Sequence, residues 1–224
     1  MRCELDASLL AKYPDMQVSG LLVRGIDQAA VAALAFPAWP QAAEEQAEPV
    51  IRHWKALHKQ LSGDKHARSS IAYLVKAANR DSLRRINPLV DWYNQASLRS
   101  LSPFGGEDIR CLSGALRLTL AQGQERFVPL GRPDEVQLPG AGEVVWLDGA
   151  GKVVCRALNW LESDLHKITG QTRDVVFVSE RPDRTLPDPQ PGMDWLAAQL
   201  APCAAELQPF LLDRHTTQID LGDA

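Results

Sequence analysis

The feature of this sequence that most constrains its fold is a change of period near Gly114. Upstream of it, helical patterns cover roughly 41–62, ending at Ser62-Gly63-Asp64, then 69–79, then a stretch opening at Asn87-Pro88. Downstream, Ala115 to Leu120 alternates apolar and polar residues, the mark of a half-buried strand. Two β-rich runs, Gly142–Asp148 and Lys152–Leu158, flank Gly149-Ala150-Gly151 and read as a hairpin. Val18–Gly25, Arg126–Leu130 and Val175–Val178 are further predicted strands. The chain has no internal repeat and no strict βαβα alternation. The pattern predicts an α+β fold with an antiparallel or mixed sheet. No linker divides the sequence, so a single domain over 1–224 is expected. Four prolines stiffen 181–192 before a last predicted helix from Met193 to about Phe210, and the tail after Arg214 is expected to fray.

Charge and cysteine usage narrow the function. The 224 residues carry a net charge of −4, without the basic surplus of a strong nucleic-acid binder. Local basic clusters remain, at Arg80, Arg84 and Arg85 and more loosely at Lys55, Lys59, Lys65 and Arg68. Cys3, Cys111, Cys155 and Cys203 are scattered and lack any zinc-ligand spacing. With no apolar leader and no apolar run of membrane-spanning length, they point to reduced thiols and a cytoplasmic location.

Familiar catalytic motifs are missing. Gly140-Ala141-Gly142 lacks a third glycine and precedes a strand, so it reads as a turn and not as a dinucleotide site. Ser69-Ser70 lie outside a nucleophile elbow and suit helix capping. None of His53, His58, His66, His166 and His215 has metal-ligand spacing, and neither metal nor cofactor is expected. Two segments stand out instead. In "INPLVDWYNQASLRSLSPFGGEDI", Asn87 and Pro88 start a helix that runs into Phe104-Gly105-Gly106 with two acids behind it. Glycines there allow close approach of a ligand to the backbone. The second segment, Asn159 to Thr172, packs amide, carboxylate, hydroxyl and imidazole groups directly after the hairpin.

Three strings occur in an order similar to that of the B3/B4 domain of the bacterial-type phenylalanyl-tRNA synthetase β subunit, and closer still to stand-alone B3/B4-domain proteins. They are "INPLVDWYN" with "SPFGGEDI", "GEVVWLDGAGKVVCRALNW", and "ITGQT" leading into "DVVFVSE". The resemblance covers about 65–180. It implies an α+β domain whose central, mostly antiparallel sheet is surrounded by helices. In the synthetase this domain edits tRNA mischarged with tyrosine. Nothing resembles the synthetase's ATP-binding motifs, so the resemblance implies a protein that does not itself charge tRNA.

Residue by residue, the editing-pocket histidine of the synthetase falls at Gly105 here. Its specificity glutamate falls at Glu162 or within a residue or two of it, beside Trp160 and Leu161 in place of a glycine pair. The resemblance thus implies one pocket walled by Phe104-Gly105-Gly106 and by the Asn159–Thr172 segment. Gly105 and Gly106 N–H groups are candidate oxyanion donors, and Thr169 or Thr172 a candidate for orienting water. Glu162 or Asp108 would hold an ammonium group. Asn94, Phe104, Asn159 and His166 complete the expected substrate-binding set, with His166 facing solvent. Lys76, Arg80, Arg84 and Arg85 would meet tRNA phosphates in weak, salt-sensitive binding. Three functions follow: hydrolysis of mischarged aminoacyl-tRNA in trans, non-catalytic binding of tRNA or an amino-acid-like ligand, or a protein-interaction role for a domain that has lost its pocket.

Overall fold

In the structure, a computed structural model describing residues 1–63 and 68–222, the strands divide between two sheets. In chain order the elements are β1 (Arg2–Leu5), α1 (Ala7–Lys12), β2 (Gln17–Arg24), α2 (Gln28–Ala33), α3 (Glu44–Ser62), α4 (Ser70–Asn79), α5 (Pro88–Ser100) and β3 (Gly105–Asp108). There follow β4 (Leu116–Leu120), β5 (Val144–Leu147), β6 (Val153–Arg156), β7 (Leu161–Glu162), β8 (Val175–Arg181), α6 (Gln190–Leu200), β9 (Glu206–Leu212) and β10 (Gln218–Asp220). One sheet has the order β10-β1-β4-β5-β6-β7 and the other β3-β8-β2-β9. Among the described strands, β1 and β4 are the pair that runs parallel, and the remaining strand pairs are antiparallel. The fold is α+β with mostly antiparallel sheets, as the period change predicts. Asp64, Lys65 and His66 lie outside the described residues.

The four-stranded sheet is buried on both faces, which explains why β2 and β8 read as nearly continuous apolar runs. Leu21, Val23, Val175 and Phe177 pack with Trp92 and Ala96 of α5 and Met193 and Leu196 of α6. Val18, Leu22, Val176 and Val178 turn the other way, into a core shared with Leu118, Val144 and Trp146 of the six-stranded sheet. α5 starts where the sequence says it should: the Asn87 side-chain Oδ1 accepts from Leu89 N–H at 2.9 Å, with Pro88 in the first turn.

The C-terminal quarter departs from expectation. The helix expected to reach Phe210 ends at Leu200, where Ala201-Pro202-Cys203 tightens into a 3-10 turn. Proline removes a backbone donor and cannot continue the helix. Glu206–Leu212 then forms edge strand β9, burying Phe210 and Leu212 while Pro209 and Leu211 face out. Proline is tolerated there because an edge strand has a side without ladder bonds. The tail expected to fray is held as β10 against β1, and Leu221 is buried. Arg126–Leu130 makes isolated bridges, to Lys152, Gln137 and Ser163, instead of a strand.

Gly20 lies opposite both Val178 and Phe210. A Cβ built on it would sit 2.0 Å from the Phe210 ring, so the glycine makes room for a buried aromatic. Gly20→Ala should destabilise the fold by about 1–3 kcal/mol through overpacking. Gly105→Ala, whose Cβ meets nothing within 4 Å, should stay within about 0.5 kcal/mol of the parent. Urea unfolding of both variants checks the contrast.

Candidate functional site

Strand alternation places three acids around one interior space. On β3, Gly105 and Glu107 share a face, and their partners Val178 and Val176 put Glu180 on that face of β8. On the other sheet, Trp146, Cys155 and Glu162 stand directly opposite one another in a cross-strand row. Between the two sheets, under α4 and α5, lies a cavity of about 750 Å³ lined by Gly105, Glu107, Val178, Glu180, Trp146, Cys155 and Glu162. Tyr73 and Leu74 of α4, Val90, Tyr93 and Asn94 of α5, and Leu83, Ile86, Leu130, Trp160 and Ile168 from loops make its walls largely apolar. Tyr73, Ile86 and Leu130 are exposed, which marks the mouth.

The floor is acidic. Glu180 is held at both oxygens: Trp146 Nε1 donates to Oε1 at 2.6 Å and Asn159 Nδ2 to Oε2 at 3.0 Å. Burial raises its carboxyl above the ordinary range, opposed by these two bonds. Glu107, 3% exposed, meets Glu162 carboxyl to carboxyl. Two carboxyl groups can hydrogen-bond only with a proton between them. Burial, then the negative charge of Glu162, drives the Glu107 carboxyl well above its usual range. Burial also raises Glu162, to about 7, against the lowering effect of its bond to Glu107. Glu107 Oε2, Glu162 Oε1 and Asn159 Oδ1 are shut from solvent without a hydrogen-bond partner. Burial, reinforced by the acids, also pushes up the Cys155 thiol and the Tyr93 phenol. Cys155 is therefore a protonated, unreactive thiol. The site thus sets apolar walls above a buried acidic pair, one member of which, Glu162, is raised to about 7.

The B3/4 domain family matches residues 55–185, more than half of the chain. The chain belongs to the B3/4 domain family. Among solved structures it is similar to an N-terminal fragment of the phenylalanyl-tRNA synthetase β-subunit from Pyrococcus horikoshii, with 12% identity and a TM-score of 0.48. That likeness covers 99% of this chain and 54% of the other, so the chain spans about half the length of its structural neighbour. No curated protein matches it.

Within this family member, the residues singled out from sequence separate into two groups. Asn94, Phe104, Gly105, Gly106, Asn159 and Glu162 all line the cavity. Asp108, His166, Thr169 and Thr172 do not. Asp108 alternates to the opposite face of β3, where Thr172 Oγ1 donates to its Oδ2 at 2.7 Å and Arg110 N–H to its Oδ1 at 3.0 Å. Thr172 Oγ1 also accepts from Thr169 N–H at 2.9 Å, which closes a turn away from the cavity. His166 is 1% exposed, not solvated as expected, and faces Asp148 at 3.8 Å. Burial lowers its pKa, so it stays a neutral ring.

The glycine N–H groups are also reassigned. Asp108 N–H turns away from β8 to the His166 carbonyl at 2.9 Å. By alternation Gly105 N–H points into the β8 ladder, away from any oxyanion, while Gly106 N–H points to the outer edge of β3. The expected tRNA contacts Lys76, Arg80, Arg84 and Arg85 are all exposed, and Arg84 sits at the cavity mouth. Arg85 is committed elsewhere: its Nε bonds buried Asp91 at 3.0 Å, and its guanidinium lies over the Phe36 ring at 4.2 Å. Glu107, Glu180, Tyr93 and Trp146 were not anticipated as site residues. The period-2 spacing Gly105/Glu107 and Val178/Glu180 was the available signal.

Acids whose folded-state pKa is raised bind protons that the unfolded chain has released. Their contribution to stability is full below the ordinary carboxylate range and is lost as pH rises toward and through about 7, the value at Glu162. Glu107→Gln keeps an N–H donor toward Glu162 and removes the acid most reluctant to ionise. The melting temperature of the parent should therefore fall relative to Glu107→Gln between pH 5 and pH 8. Thermal unfolding of both proteins at the two pH values checks this, and parallel curves would refute it.

Proposed function

We propose that this cavity receives the aminoacyl group of a mischarged tRNA and that the chain hydrolyses the ester in trans. The observation that carries the reading is that Gly105 and Glu162 line one open cavity. They are the two positions at which the resemblance to the editing domain places pocket residues. The apolar walls suit an amino-acid side chain, and the Glu107–Glu162 pair suits its ammonium group. An aminoacyl ester is activated, so enclosure and a positioned water supply much of what hydrolysis needs. Gly105 leaves open space where the synthetase carries a histidine, which supports acceptance of a side chain other than tyrosine. The exposure of Lys76, Arg80 and Arg84 supports contacts with phosphates of the acceptor end. An open cavity also speaks against a domain that has kept only a protein-interaction role.

One observation favours a second reading, binding without hydrolysis. Thr169, Thr172 and the Gly105 N–H are all engaged away from the cavity. A panel of tRNAs charged with different amino acids, followed for loss of the ester, separates the two. Hydrolysis in trans requires accelerated loss for at least one pair, reduced by Glu162→Ala by the equivalent of about 1.5–3 kcal/mol, as for a lost charge-assisted hydrogen bond. Retained esters with saturable binding would establish the second reading.

The basic residues give an independent check. Arg84→Ala should weaken tRNA binding and lower the salt slope by about one. Arg85→Ala should instead destabilise the fold, because it strips a buried carboxylate of its cation. Filter binding across a salt series and thermal unfolding read the two effects separately.

A further inference from the structure

We infer that the Glu107–Glu162 carboxyl pair is a cation site in which the ammonium of an apolar amine replaces the proton that the two acids share. The inference rests on reading the cavity as amine-binding, and it adds what the amine displaces. Geometry carries it. Glu107 is almost wholly buried and lines the cavity with Glu162, and Glu107 Oε2 and Glu162 Oε1 have no hydrogen-bond donor from the protein. Asn159, whose Oδ1 also lacks a donor, lines the same cavity. In place of one shared hydrogen, an ammonium brings three donors to these acceptors. Glu180 is not the site, because Trp146 and Asn159 already occupy both of its oxygens.

The other ionisable groups around the cavity leave the pair in charge of the exchange. Cys155 of β6 and Tyr93 of α5 are held neutral by burial. Lys167 lines the cavity but pairs with Asp164 at 2.7 Å. Arg84 and Tyr73 stand at the mouth. Without ligand, a buried like-charge pair keeps a proton. With a cation between them, both carboxylates can ionise. The exchange balances in charge: one ammonium enters and one proton leaves to solvent. Burial raises both carboxyls, Glu162 to about 7, which is the direction that keeps a proton on the pair until a cation replaces it.

The test uses the full chain with 2-phenylethylamine, whose ammonium stays protonated from pH 6 to pH 8, and with 2-phenylethanol as the neutral counterpart. Titration calorimetry in two buffers of different ionisation heat counts the protons released. The amine should bind at least tenfold more tightly at pH 8 than at pH 6, with release of at least about one proton per site at pH 6. The alcohol should show no such slope. Glu107→Gln should keep amine binding and flatten the slope, since one carboxylate then remains with a permanent donor beside it. The double variant Glu107→Gln/Glu162→Gln, checked for its fold by circular dichroism, should lose the preference for amine over alcohol. A parent that does not prefer the amine, or prefers it without proton release, would overturn the inference, as would a double variant that keeps the preference. Ester loss from mischarged tRNA without amine-linked proton release would overturn the inference and leave the hydrolase reading standing. Proton-linked amine binding with every ester intact would do the reverse.

Discussion

Strand pairing between β3 and β8 is the constraint on which the site depends. It sets Gly105 against Val178 and Glu107 against Val176, and period-2 alternation then leaves no choice about which side chains face inward. Asp108 must point away, into its network with Thr172 and Arg110. Glu180 must point in, toward Trp146. A slip of β3 by one residue against β8 would turn Asp108 inward in place of Glu107 and send Glu107 to the other face, away from Glu162. The helices on the far side of the sheet reinforce the register, because Phe177 is packed there against residues of α5 and α6.

Three acids in one interior space would be an unstable arrangement if all were charged. The structure handles them in two ways. Glu180 is satisfied locally by an indole and an amide. Glu107 and Glu162 are left to satisfy each other, which works only while they hold a proton. The first device is structural and joins the two sheets, since Trp146 belongs to one and Glu180 to the other. The second leaves Glu107 Oε2 and Glu162 Oε1 buried without a hydrogen-bond donor from the protein. Apolar residues of similar volume would pack without any of these costs.

Much of this architecture was legible in the sequence, for reasons that can be named. The alternation of Ala115–Leu120 and the hairpin around Gly149 are local signals, and the α5 start is written in Asn87-Pro88. The C-terminal strands were not legible. Leu207 to Leu212 carries apolar residues at spacings that suit either period, and only the position of β2 beside them decides. The site was half legible for the same reason. Glu162 and Gly105 belong to conspicuous strings, but Glu180 ends an apolar strand and looks like its solvent-exposed terminus. Only the neighbouring sheet, with Trp146 and Asn159 within reach, makes it an interior residue. His166 and Thr172 showed the converse: polar side chains in a loop whose partners lie within the fold.

The order β3-β8-β2-β9 also bears on how the chain is made. β2 is the centre of its sheet, yet Gly20 lies opposite Val178 and Phe210, near the other end of the sequence. A ribosome delivers β2 early and its partners last. Until Val175–Arg181 emerges, Leu21, Leu22 and Val23 have neither neighbour, and one edge of the apolar strand stays open until Glu206–Leu212 follows. Such long-range closure slows folding. The acid-floored cavity, which needs β3 and β8 in place, is among the last features to form.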